Sequence, residues 1–214
     1  MSTLVVYSDT TDGQVGGNHG VYLTARQGAN LTASAIDTVG FFGQYAAYYV
    51  YESFLAFDTS SIPDGDTVSA AVLNLTSSTD GSTTDFTIEA RLDDWGTDLT
   101  TADWVAGASL SALTLLAHRD TASGWIVGTA YDLTDDAFAA NVNKTGSTRL
   151  LLCSSRTTAG TVPTLNEYVG IRLANYSGTT SDPKLTITHS EGFVWDGPGI
   201  TIDGVIGKTA SSSF

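Results

Sequence analysis

Glu52-Ser-Phe-Leu-Ala-Phe-Asp-Thr-Ser-Ser-Ile-Pro-Asp-Gly-Asp-Thr-Val-Ser-Ala-Ala-Val-Leu-Asn-Leu-Thr76 reads as two strands joined by a corner. Leu55 and Phe57 share one strand face, and Ala71, Leu73 and Leu75 share one on the next strand. Between them, the short polar side chains of Asp58 and Thr59 can cap turn amides, and Pro63 fixes the backbone at the corner. The segment is built for folding, and nothing in it does chemistry.

The same periodicity extends outward in both directions. Phe86, Ile88, Ala90 and Leu92 alternate with Thr87, Glu89 and Arg91, and Val169, Ile171 and Leu173 alternate with Tyr168, Gly170 and Arg172. Further strands are expected at 4–7, 21–25, 46–57, 68–76, 115–119, 125–131 and 149–154, and around Leu185 and Ile187. Turn signals such as Pro63-Asp-Gly65, Asp80-Gly81, Ser123-Gly124 and Ser177-Gly178 separate them. Roughly ten short strands joined in this way predict an all-β fold, an antiparallel β-sandwich of jelly-roll type. One segment, 133–142, reads as a short helix, with Thr134 as N-cap and Asp135 and Asp136 opposing the dipole in the first turn. The expected organisation is one domain over 1–189 and a Gly-rich C-terminal appendix over 190–214, a docking or anchoring segment.

A chain of 214 residues, 42% hydrophobic and 15% charged, can build one substantial core. Its 9 Lys+Arg against 23 Asp+Glu give a formal charge of −14, a field that repels nucleic-acid phosphates and anionic membranes. The basic residues are scattered singly, without a stripe, so neither nucleic acid nor membrane is an expected partner. The opening Met1-Ser-Thr-Leu-Val-Val-Tyr-Ser8 has no basic region followed by a long apolar run, which makes synthesis and folding in a cytoplasm the expectation. A single cysteine, Cys153, forms no internal disulfide.

The 52–76 segment resembles the DNRLRE-type jelly-roll modules, in which a strand ending in Leu-x-Phe-Asp leads through Ser-Ser-(Ile/Leu)-Pro to a Ser-Ala-x-Leu-x-Leu strand. Asp94–Trp104, Tyr131-Asp-Leu-Thr-Asp135 and Pro183-Lys-Leu-Thr-Ile-Thr188 extend the similarity over most of residues 1–189. The basic residue that precedes the family's Leu-x-Phe-Asp strand is missing, and Glu52-Ser-Phe54 stands in its place. Modules of this kind look like carbohydrate-binding domains and also occur as free-standing virion proteins of tailed bacteriophages. The resemblance implies a non-enzymatic virion structural protein, a capsid decoration or a head or tail appendage. Its partners would be other virion proteins or further copies of itself. The alternative is a free-standing glycan-binding module or host-surface adhesin that meets cell-surface glycans.

Few residues invite chemistry. Adjacent Asp93 and Asp94 point to opposite faces of a regular strand, and Asp135 and Asp136 are accounted for by the helix start. A third reading, a glycan-cleaving enzyme, therefore lacks convergent acid and base. His19, His118 and His189 show no metal-ligand spacing, and Cys153 follows the apolar run Leu150–Leu152 as a buried thiol would. Calcium is the one ion to consider. Asp9 with Asp12 and Asp64 with Asp66 offer hard oxygens at loop spacing, though as turn-forming residues of an acidic chain they need no metal.

Phe41–Phe54 places seven aromatic rings in fourteen residues. In one strand over 46–57, Tyr49 and Tyr51 would share the side of Leu55 and Phe57 at the core or its rim, leaving Tyr48, Val50, Phe54 and Ala56 on an outer face too apolar for water. Its cover would be the chain's own Phe41-Phe-Gly43 or Phe193-Val-Trp195, a neighbouring subunit or capsid surface, or a stacked glycan assisted by Gln44, Asn74 or Arg91. Tyr48 and Phe54 are accordingly interaction candidates. So are Phe193, Trp195, Ile200 and Ile202 of the appendix, where Ile200 and Ile202 alternate about Thr201 as in a strand added to an edge. Truncation after Ser190 is expected to leave a soluble β-domain that no longer co-purifies with particles or oligomers. An unfolded truncation product would assign the appendix to the core.

Overall fold

The computed structural model describes residues 1–190, which are all-β. Twelve strands are present among them: β1 (Ser2–Tyr7), β2 (Gly13–Asn18), β3 (Thr32–Ala35), β4 (Val39–Tyr45), β5 (Tyr49–Asp58), β6 (Thr67–Asp80), β7 (Thr87–Leu92), β8 (Leu115–Asp120), β9 (Ala130–Thr134), β10 (Ser147–Ser154), β11 (Glu167–Arg172) and β12 (Lys184–Ser190). Their ladder pairings are antiparallel.

Eight of these strands close a hydrogen-bonded circuit, β6–β11–β4–β5–β10–β7–β8–β9 and back to β6. Closure leaves no unpaired edge in the circuit itself. The joint between β8 and β9 is the thinnest, with His118 and Thr134 as its one ladder pair. Outside the circuit, β12 and β1 extend from the first half of β6, and β2 and β3 from the first half of β5.

The corner predicted at 52–76 is present. Leu55 and Phe57 are fully buried, facing a core that includes Leu73, Leu75, Ile88, Leu150, Leu152, Val169 and Ile171. The Asp58 carboxylate accepts the Ser60 amide at 3.1 Å, and the Thr59 hydroxyl meets that of Thr148 at 2.8 Å. The Asp58 carboxyl is held below its ordinary range, chiefly by the hydrogen bond from the Ser60 hydroxyl.

Other expectations need correction. Residues 22–26 form a one-turn helix, α1 (Tyr22–Arg26), where a strand was expected. The expected helix at 133–142 is shorter, α2 (Asp136–Ala140), capped by the Asp135 side chain on the Ala137 amide at 3.0 Å, because Thr134 still belongs to β9. A third short helix, α3 (Ser155–Ala159), follows β10, so the chain has more than one helix. Single turns carry no sequence periodicity, since one turn samples each face of a helix only once. The segment 125–129 is loop rather than strand, and β2, β3 and β4 were not anticipated. β2 is rich in glycine, which gives no alternation to read.

Replacing Phe57 with Ala should destabilise the domain by about 3–5 kcal/mol, as emptying a closed core site does. Urea unfolding of Phe57→Ala beside Asp94→Asn, at a largely exposed carboxylate, checks this. A Phe57→Ala loss no larger than that of Asp94→Asn would mean that the inward face of β5 is wrong.

Candidate functional site

A strand edge can give each residue one partner, and this fixes how the aromatic segment folds. Tyr51 is paired with Gly43 of β4 on one side and Gly16 of β2 on the other, while Phe54 is paired with Leu151 of β10 and with Gly13 of β2. β2 therefore holds one edge of β5, and β4 and β10 follow one another along the opposite edge. Where β4 gives way to β10, the face of β5 turns. Tyr51 shares strand parity with Leu55 and Phe57, but its ring lies beside Phe41 and Tyr45 on the outer side of the wall rather than in the core.

The result is a cup. Along β4, Phe42 points into the core and Phe41, Gly43 and Tyr45 alternate to the other face. Along β11, Val169 and Ile171 point inward and Tyr168 outward. Gly43 lies directly between Tyr51 on β5 and Tyr168 on β11. Four half-buried rings thus surround one glycine, Phe41 and Tyr45 along its strand and Tyr51 and Tyr168 across it. Their centroids form a closed circuit, Phe41–Tyr51 6.1 Å, Tyr51–Tyr45 6.2 Å, Tyr45–Tyr168 5.6 Å and Tyr168–Phe41 6.0 Å. They line a cavity of about 340 Å³ together with Asn166.

The walls are held rigidly. Gly43 has φ 109°, and a Cβ there would lie 2.3 Å from the Glu167 carbonyl oxygen, so no other residue fits without displacing β11. Tyr51 lies over Gly16, where a Cβ would come within 2.6 Å of the ring. Tyr49 stacks on Tyr45 at 4.8 Å with planes 7° apart and keeps it upright. Burial pushes the Tyr45 phenol up, and the hydrogen-bonded hydroxyl of Tyr51 adds to this, so Tyr45 presents a neutral hydroxyl at ordinary pH.

Behind the cup lies a polar network. Gln44 donates to the Glu167 carboxylate at 2.7 Å and to the Thr161 carbonyl at 2.7 Å, and accepts the Tyr22 hydroxyl. Arg156 pairs with Glu167 at 2.7 Å. These groups fasten β4 to β11 and to α1, but they face away from the rings. Among the described residues, no charged side chain lines the cup.

The other candidates lie elsewhere. Phe54 is fully buried with Val15, Ala56 and Leu151, covered edge-on by Trp95 at 6.1 Å and by Leu99 and Leu110. The cover of the outer face is thus the chain's own segment 95–113, not the Phe41 segment. Tyr48 is not on β5; it ends a turn at φ 56° and packs against Tyr22 at 6.0 Å. Phe193, Trp195, Ile200 and Ile202 lie outside the described residues. Asn74 hydrogen-bonds Asp132, and Arg91 pairs with Glu89 at 2.9 Å, so neither reaches the cup.

The calcium candidates do not assemble. Asp9 accepts the Thr11 amide in its own turn, and Asp12 is buried and accepts the Ala56 amide at 3.2 Å. Asp66 meets His189 at 2.6 Å, and the Lys144 ammonium sits on the backbone carbonyls of Asp64 and Asp66. Among the described residues, no three His, Cys, Asp or Glu side chains gather as a metal ion would require. Nor is any helix there long and apolar enough to cross a membrane. No family model matches the chain, and no curated protein matches it.

Among the described residues, four acids are displaced upward by burial: Asp12 to about 8, Asp93 to about 6, Glu52 well above its ordinary range, and Asp182. Glu52 lies beneath the 95–113 cover and accepts the Val105 amide at 3.1 Å. Each of these acids holds a proton in the folded chain that the unfolded chain has already released, so stability is present at low pH and lost as pH rises. For Asp12 the slope is about 1.4 kcal/mol per pH unit between roughly pH 4 and pH 8. Urea midpoints across that range should fall with pH, and Asp12→Asn should flatten the fall. Parallel profiles for the two proteins would remove Asp12 from this account.

Proposed function

We propose that this chain is a non-enzymatic recognition module on a carbohydrate-binding-like jelly roll. Carried as a virion protein on a tailed-bacteriophage particle, as a capsid decoration or a head or tail appendage, it engages cell-surface glycans through the aromatic cup. The observation that carries the reading is the ring circuit around Gly43, uncharged and half-exposed on the outer wall of the barrel. Apolar rings cost free energy when left in water, and a concave set of them with one amide at its rim has the make-up of a ligand site. The likeness of the 52–76 segment to phage modules supports the virion context. Other virion proteins, or further copies of the chain, would dock on surfaces away from the cup.

Labelled protein and whole bacterial cells of candidate hosts provide the test. Tyr168→Ala and the milder Asn166→Ala should each lower cell attachment at least about tenfold and about threefold respectively, with unchanged thermal midpoints for Asn166→Ala, in line with loss of an aromatic contact and of one hydrogen bond. Attachment indifferent to both would place recognition elsewhere. Shortening of isolated surface polymer by the protein would revive the hydrolytic reading.

A further inference from the structure

We infer that the group entering the cup is a quaternary ammonium, of the trimethylammonium type carried by choline, projecting from a surface polymer; the inference rests on the cup being the recognition site. The dimensions are the first argument. A circuit with edges of 6.1, 6.2, 5.6 and 6.0 Å, if near-square, has a centre about 4 Å from each ring centroid, within the roughly 6 Å reach of a cation–π contact. Three of the four neighbouring ring pairs are tilted by 50° or more (50°, 53° and 75°), so the rings wall a hollow rather than lie flat as one shelf.

The second argument is chemical. A pyranose asks for several hydrogen bonds around its rim, yet the lining offers Asn166 and the phenol hydroxyls, and Gln44 is turned to the opposite face. A lysine-type ammonium carries three N–H donors and would call for acidic side chains, and among the described residues the side chains at the lining are four rings and one amide. A quaternary ammonium has no N–H to satisfy and is weakly hydrated, so ring faces alone suffice. The third argument is charge. A chain of formal charge −14 draws cations toward it and repels free anions. The ring quadrupoles then supply the short-range attraction that the long-range field lacks.

Calorimetric titration of the full chain with choline chloride, against its neutral carbon isostere 3,3-dimethyl-1-butanol, is the test. Choline should bind at least about tenfold more tightly than the isostere, the margin expected of a desolvated cation–π site. Tyr45→Phe, which keeps the ring, should retain choline within about threefold, and Tyr45→Leu should lose it, since the attraction comes from the ring face. Equal binding of choline and isostere, or no choline binding, overturns the inference. If cup variants then still impair cell attachment, the recognition site stands with a different ligand. If attachment is also indifferent to the cup, the functional reading falls with it.

Discussion

The N–H and C=O of a strand residue point to one side at a time, and β5 divides one of its edges between two neighbours. β4 takes the Tyr49–Tyr51 end and β10 the Ser53–Asp58 end, while β2 lies along the other edge. Two stretches of wall leave β5 from the same edge and must diverge, and the space between them becomes the core. The same divergence turns Tyr51 outward although Leu55 and Phe57, of identical parity, point inward. Core and cup are thus two consequences of one hydrogen-bonding constraint.

Polar groups are spent on holding this corner. The Gln44–Glu167–Arg156 network sits back to back with the rings, fixing β4 against β11, while Thr59 ties the end of β5 to the loop before β10. Burial of Asp12 and Glu52 adds a cost that grows with pH, as desolvated carboxyls resist ionisation. Such groups lower stability in exchange for tying segments at defined points, Asp12 to Ala56 and Glu52 to Val105.

The segment 95–113 resolves the problem of an apolar outer face. Trp95, Leu99 and Leu110 cover Phe54 and Leu151, giving the barrel wall a second small core on its outside. At the cup, Phe41, Tyr45, Tyr51 and Tyr168 are half-buried and line a cavity among the described residues. The exposed Val162 and Leu165 lie on the same loop that supplies Asn166 to the rim.

Alternation in the sequence was sufficient for the all-β class, the inward faces of β6, β7, β11 and β12, and the 58–63 corner, because a strand with one buried face must repeat every second residue. Phe41-x-Gly43-x-Tyr45 even held half the cup in plain view, as three alternate residues of one strand. Only the tertiary structure decided that the strand was separate from β5, since the break falls at Tyr48 in a left-handed turn that its residue type does not announce. It alone brought Tyr168 from β11 to the other side of Gly43, and Trp95 over Phe54. Pairing partners and loop covers are set by which edges remain free once the core has closed, and that is a property of the whole chain rather than of any segment in it.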